Sequence, residues 1–148
     1  MGYQAWTLAQ RIQAREHPDF ITATRNAFLM IGKPWVIENV PGAPLRHPTQ
    51  LCGCMFSGLN VYRPRLFETS WPVVQPDHRE HREPVTKMGR PPRAGERMHV
   101  VGNFSGVAEA RAAMGINWMS RDELRESIPP AYTEFLGGQL LAVLEVAA

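Results

Sequence analysis

Residues 34–45 read Pro34-Trp35-Val36-Ile37-Glu38-Asn39-Val40-Pro41-Gly42-Ala43-Pro44-Leu45. Trp35–Val40 is a short run of aromatic and β-branched residues, which predicts a buried strand of the parallel kind. Pro41 to Pro44 then forces a loop. Glu38 and Asn39 therefore stand at the carboxyl end of the strand, where open α/β sheets place their ligands. A carboxylate partly withdrawn from water there is expected to hold its proton more tightly and to serve as a proton donor. The same two side chains are equally suited to tying down the loop that follows.

Upstream, Trp6 to Met30 reads as helical. Leu8, Ile12 and Arg15 share a face, and after the break at His17-Pro18 a second helix runs from Asp19 to Ile31. In it Phe20, Ala23, Ala27 and Met30 recur at three- and four-residue spacing, the mark of a core-facing stripe. Downstream, Met55 to Thr69 holds two extended pieces around a Ser57-Gly58 turn, and residues 71–99 are irregular. Val107–Ala113 and Ser120–Glu126 are short helices, the second opened by a Ser120/Glu123 capping box. After Pro129-Pro130, Tyr132–Val146 is an amphipathic helix with Phe135, Leu136, Leu140 and Leu144 on one side. The order of helices and strand predicts an α/β class, yet one clear strand is too few for a complete doubly wound domain.

Composition narrows the function classes. The chain has 148 residues, 44% hydrophobic and 20% charged, with 13 prolines and 12 glycines, which suits one modest, turn-rich globular domain. No apolar run reaches membrane-spanning length, and MGYQAWTLAQR lacks the pattern of a secretion signal. Two cysteines one residue apart do not make a disulfide framework, so a reducing, cytoplasmic setting is expected. Net charge is +2, but Arg63, Arg65, Arg79, Arg82, Lys87, Arg90, Arg93 and Arg97 fall in one stretch. That stretch suits contact with phosphate, or is simply a solvated loop. Cys52, Cys54, His78 and His81 are zinc-type ligands. However, Cys-x-Cys is not the usual knuckle spacing and the two pairs are far apart in sequence, so no metal site is expected.

PWVIENVPGAPL resembles the Glu-Asn-Val motif of DNA cytosine-5 methyltransferases, particularly their compact phage versions. The resemblance implies that Glu38 contacts the flipped cytosine at N3 and helps protonate it, and that Asn39 supports the neighbouring loop. Val61-Tyr62-Arg63-Pro64-Arg65-Leu66-Phe67-Glu68 is similar to the family's Gln-x-Arg-x-Arg motif, with Val61 in place of the glutamine. It implies that Arg63 and Arg65 hold the base; on a strand, two residues spaced in this way face the same side. Leu51 to Leu59 (LCGCMFSGL) resembles a further phage-type stretch, with Ser57 inserted. Ala113 to Leu141 (AMGINWMSRDELRESIPPAYTEFLGGQLL) resembles the last two motifs, which implies that Ala113–Ile116 braces the recognition region and that Ala131 and Tyr132 line the S-adenosylmethionine pocket. These motifs occur in the family's order.

The resemblance implies the C-terminal part of a Rossmann-like methyltransferase fold. Residues 1–70 would be the second half of the catalytic domain, 71–105 a reduced target-recognition region, and 106–148 helices packing back on the catalytic part. It implies double-stranded DNA as substrate, S-adenosylmethionine as methyl donor, and a phage or restriction-modification setting. Carbon-5 methylation needs a thiolate, but the chain has no Pro-Cys pair, and Cys52 and Cys54 follow the Glu-Asn-Val motif in the wrong order to supply it. They read as small buried residues. The glycine-rich cofactor loop is not written either, and Gly137-Gly138 inside a helix pattern is no substitute. Under this alignment Met1 falls just after the catalytic loop, as a split, decayed or internally started gene would leave it. The expected partner is a complementary N-terminal methyltransferase subunit, or a second copy across an exposed sheet edge. The alternative is a non-catalytic DNA-binding or regulatory remnant of the family.

Overall fold

The computed structural model describes residues 19–146; the helix expected around Leu8, Ile12 and Arg15 lies outside them. Among the described residues the architecture is mixed α/β. Helix α1 spans Ile21–Ile31. Three short strands follow, β1 Val36–Asn39, β2 Thr49–Leu51 and β3 Arg65–Thr69. Helices α2 Val107–Met114, α3 Arg121–Glu126 and α4 Pro130–Val146 complete the chain. The sheet order is β1-β3-β2. The chain forms two compact units. Of the described residues, one holds 19–50 with Arg65–Val74, and the other holds Leu51–Pro64 with 75–146. The chain thus passes between units several times.

The first unit is organised by β1 and β3, which pair antiparallel, with Val36 opposite Thr69, Ile37 opposite Glu68, Glu38 opposite Phe67 and Asn39 opposite Leu66. The expectation of a parallel strand is corrected. Parallel neighbours need a long crossover, usually a helix, whereas between β1 and β3 lie only loops, β2 and one 3-10 turn. Burial along β1 alternates, with Ile37 and Asn39 inside and Val36 exposed, as befits a strand with one covered face. Trp35 and Ser70 extend the pair: the Trp35 N–H donates to Ser70 Oγ (3.0 Å) and the Ser70 N–H to the Trp35 carbonyl (3.1 Å). Phe28 of α1 stacks on Trp35 with ring centroids 5.9 Å apart.

Helix α1 turns a face inward that hydrophobic spacing does not reveal. Its buried residues are Ile21 and Arg25, one turn apart, while Phe20, Leu29, Met30 and Ile31 are exposed. The stripe expected at Phe20, Ala23, Ala27 and Met30 is therefore the outer one. The reason is electrostatic: the Arg25 guanidinium makes a two-pronged pair with the buried Glu68 carboxylate of β3. The Arg46 N–H also donates to Glu68 Oε2 (2.7 Å). A charge buried with its partner carries no apolar signature.

The second unit has an apolar core of Val61, Met98, Val100, Phe104, Ala110, Ala113, Met114, Ile116 and Leu124. Helix α2 ends at Gly115, whose φ of 69° permits the left-handed cap. Ser120 opens α3 with the expected box: its N–H donates to Glu123 Oε2 (2.7 Å), and its Oγ accepts from the Glu123 N–H. Helix α4 begins at Pro130, a residue suited to a first helical turn, and buries Tyr132 and Leu136, while Leu141 and Leu144 are exposed. Residues 71–99 contain no helix, only isolated bridges of Val61 with Met98 and Val85 with Arg97, as the proline and charge content predicts.

Burial pushes the Glu68 carboxyl upward, but the hydrogen bonds from Arg25 and Arg46 with the Arg25 charge outweigh it and hold the group below its ordinary value of 4.5. A carboxyl depressed in the folded state stabilises above that value, and the stabilisation is lost as the pH falls through the folded pKa. Glu68→Ala is expected to cost about 3–5 kcal/mol, because it strands the buried Arg25 charge. Urea unfolding at neutral pH measures this. The parent chain should also lose stability more steeply below pH 4.5 than the variant; equal slopes would show that Glu68 is not the linked group.

Candidate functional site

Because Glu38 faces Phe67, and Arg65 lies two residues before Phe67, Glu38 and Arg65 are diagonal neighbours on one side of the β1–β3 pair. The Arg65 Nε–H approaches Glu38 Oε1 at 3.0 Å, and their side chains keep 16% and 33% of their exposure. Glu38 is thus not sealed from water, in contrast to the expected desolvation. Its carboxylate is reachable from solvent and held beside a cation with planar, directed donors. Asn39 turns to the covered side, where its Oδ1 accepts from the Val40 N–H (2.9 Å). It shapes the start of the loop in which Gly42 adopts a φ of 93°.

Arg63 does not join this pair. The strand begins at Arg65, and Arg63 lies before it with a φ of 39°. The alternation that would put both arginines on one face therefore does not apply. The Arg63 guanidinium is buried in the second unit and donates to the carbonyls of Ser127, Val100 and Arg125, each at 2.7 Å. That is a packing role, joining two carbonyls at the C-terminal end of α3 to one at Val100. Tyr132, expected at a cofactor pocket, is fully buried. Its hydroxyl sits 3.2 and 3.1 Å from the carbonyls of Tyr62 and Arg63, and its ring lies 5.2 Å from Phe56. Ala131 beside it is half-buried.

The basic stretch divides into two kinds of residue. Arg90 pairs with Glu96, and Arg97 lies over the Tyr62 ring while donating to the Leu59 carbonyl. These hold the fold. Arg79, Arg82, Lys87 and Arg93 are exposed and have the chemistry for phosphate. In the first unit a cavity of about 490 Å³ is lined by Arg46, His47, Thr49, Glu68 and Trp71 among others. Its carboxylate, Glu68, is committed to Arg25 and the Arg46 N–H, so the cavity offers no acid–base pair.

The second unit assembles a group that spacing argued against. The ligand atoms of Cys52, Cys54, His78 and His81 all lie within 4.8 Å of one another. The 3-10 turn Gly53–Met55 aligns the two thiols, with Sγ atoms 3.3 Å apart, and Cys52 Sγ is 3.2 Å from His81 Nε2. Sequence distance misled because residues 78–81 fold back over the turn. Gly53 between the cysteines is required by close approach: a Cβ there would meet the Val61 carbonyl oxygen at 2.0 Å. Burial pushes the Cys52 thiol well up, while burial and the neighbouring His78 push His81 down. The one signal in the sequence was the residue set itself.

Comparison with protein families, with curated proteins and with solved structures finds no match to this chain. No helix among the described residues is long and apolar enough to cross a membrane.

The structural role of Arg63 has a direct check. Arg63→Ala leaves three carbonyls without their donor, each costing about 1–3 kcal/mol if it stays dry. The variant should unfold at clearly lower urea concentration than the parent, whereas Arg65→Ala, which frees a Glu38 carboxylate that water already reaches, should cost less. Equal effects of the two would refute the division of roles.

Proposed function

We propose that this chain is the base-binding portion of a DNA cytosine-5 methyltransferase. The observation that carries the reading is the Glu38–Arg65 pair, 3.0 Å apart on adjacent strands with the carboxylate open to solvent. A carboxylic acid can protonate N3 of cytosine, and a guanidinium beside it can hold both the acid and the base edge. Cytosine must leave the helical stack to reach such a pair, so the substrate is a flipped base in duplex DNA. Asn39 keeps the following loop in position. Arg63 is left out of the base-binding set, because its guanidinium binds main-chain carbonyls of Val100 and the end of α3.

The thiolate that attacks carbon-6, the glycine-rich loop and the parallel sheet of a Rossmann-like half would come from a complementary portion, and with them S-adenosylmethionine. Protonation at N3 draws electrons from carbon-6 and opens it to that thiolate. The exposed apolar residues of α1, Leu29, Met30 and Ile31, with Phe20 just before it, offer a surface for that portion. Exposed Arg79, Arg82, Lys87 and Arg93 supply a phosphate-binding stretch in a recognition region of modest size.

The test is reconstitution with a methyltransferase portion bearing the Pro-Cys loop, followed by methyl transfer to cytosine in duplex DNA. Methylation is expected only with both portions. Glu38→Gln in the reconstituted complex should lower the rate about 10²–10⁴-fold, the usual worth of a positioned acid, with little change in DNA affinity. An unchanged rate removes Glu38 as proton donor. DNA binding with a steep salt dependence, without methylation in any combination, would favour a non-catalytic remnant instead.

A further inference from the structure

The Cys52/Cys54/His78/His81 group takes no part in the function proposed above, and it stands on the second unit alone. Its two thiols and two imidazoles are a donor set that suits zinc among the common divalent ions. Tetrahedral zinc with sulfur at about 2.3 Å and nitrogen at about 2.0 Å places its ligand atoms roughly 3.3–3.8 Å apart. Here the two sulfurs are 3.3 Å apart and the Cys52 sulfur is 3.2 Å from His81 Nε2. The spread over all four is at most 4.8 Å, about 1 Å wider than the tetrahedron.

The surroundings are built to hold these ligands in place. The Cys-Gly-Cys turn is pressed against the 61–62 backbone, with the Gly53 N–H donating to the Tyr62 carbonyl at 2.6 Å, and only glycine fits between the cysteines. The His81 ring stacks on Tyr62 at 3.7 Å and 17°. The Tyr62 hydroxyl is held in turn by the Glu83 carbonyl and carboxylate, both at 2.8 Å. Such partners fix a ligand's orientation before metal arrives. The segment has little apolar anchoring: no residue from Gln75 to Val85 is buried, and its contacts with the rest of the unit are polar ones, mostly at Glu83 and Pro84. Ordering each residue costs about 1–2 kcal/mol of backbone entropy, and apolar burial does not offset it here.

We propose that Cys52 Sγ, Cys54 Sγ and one ring nitrogen each of His78 and His81 bind a single structural zinc ion, fastening the Gln75–Val85 segment to the Cys52–Met55 turn. Both thiols bind as thiolates and release their protons to solvent, so their two negative charges balance the ion. Four protein ligands fill the tetrahedron and leave no open position for substrate, which makes the site structural rather than catalytic. The zinc would hold Arg79 and Arg82 in place at the surface of the second unit.

The experiment uses the full chain, purified without chelator from zinc-supplemented medium. Expected are about one zinc per chain and an X-ray absorption shell of two sulfurs near 2.3 Å and two nitrogens near 2.0 Å. Cobalt substituted for zinc should show tetrahedral ligand-field and thiolate charge-transfer bands. Chelation should open trypsin cleavage after Arg79 and Arg82 well before the rest of the chain is cut. Because Cys52 is buried and its variants risk misfolding, His78→Ala is the gentler variant; His78 is exposed. It should weaken zinc binding by at least about tenfold and speed the same cleavage. Zinc far below one per chain, an oxygen-only shell, unchanged affinity in His78→Ala, or a Cys52–Cys54 disulfide with no metal bound after its reduction would each overturn the proposal.

Discussion

The antiparallel register of β1 and β3 is the constraint on which the first unit depends. Side chains alternate across a strand, so one register sets both faces at once. With Glu38 opposite Phe67, Glu68 turns to the covered side and meets Arg25, while Arg65 stays beside Glu38 on the other. A slip by one residue would send Glu68 to the outer face and strand the Arg25 charge inside, a cost of several kcal/mol. The buried pair that secures α1 therefore also secures the register that assembles the outer pair. The inner pair is sealed and the outer pair is only partly so, through Glu38, though both are arginine with glutamate.

In the second unit the comparable element is the short backbone run from Asn60 to Arg63. The Asn60 carbonyl accepts from the Met98 N–H and the Tyr62 carbonyl from the Gly53 N–H, while the Asn60 N–H donates to the Ala113 carbonyl. The Tyr132 hydroxyl reaches the carbonyls of Tyr62 and Arg63, and the Arg63 guanidinium binds three more. Irregular segments with little apolar burial are held here by polar contacts to one piece of main chain. The cysteine turn rests on the same piece, so the position of the Cys52 and Cys54 sulfurs follows from the packing of the core.

Local signals were legible where they are local in origin. The Ser120/Glu123 box, the turn at Ser57-Gly58 and the irregular 71–99 segment all depend on residues within a few positions of one another. Strand β1 was found, but its partner direction was not, since that depends on a strand 26 residues further on. The inner face of α1 was misread because its central residue is an arginine, and periodicity counts only apolar residues. Arg63 was grouped with Arg65 by their spacing, yet its left-handed backbone places it outside the strand.

The sequence by itself determined most of the local elements among the described residues, though not the short strand β2, and which residue types are present for acid–base, phosphate and metal chemistry. Only the tertiary structure decided which of them meet. Glu38 found Arg65, Glu68 found Arg25, and Cys52 and Cys54 found His78 and His81 through register and chain reversal. These are long-range consequences of burying one set of side chains against another, and no short window of sequence contains both partners.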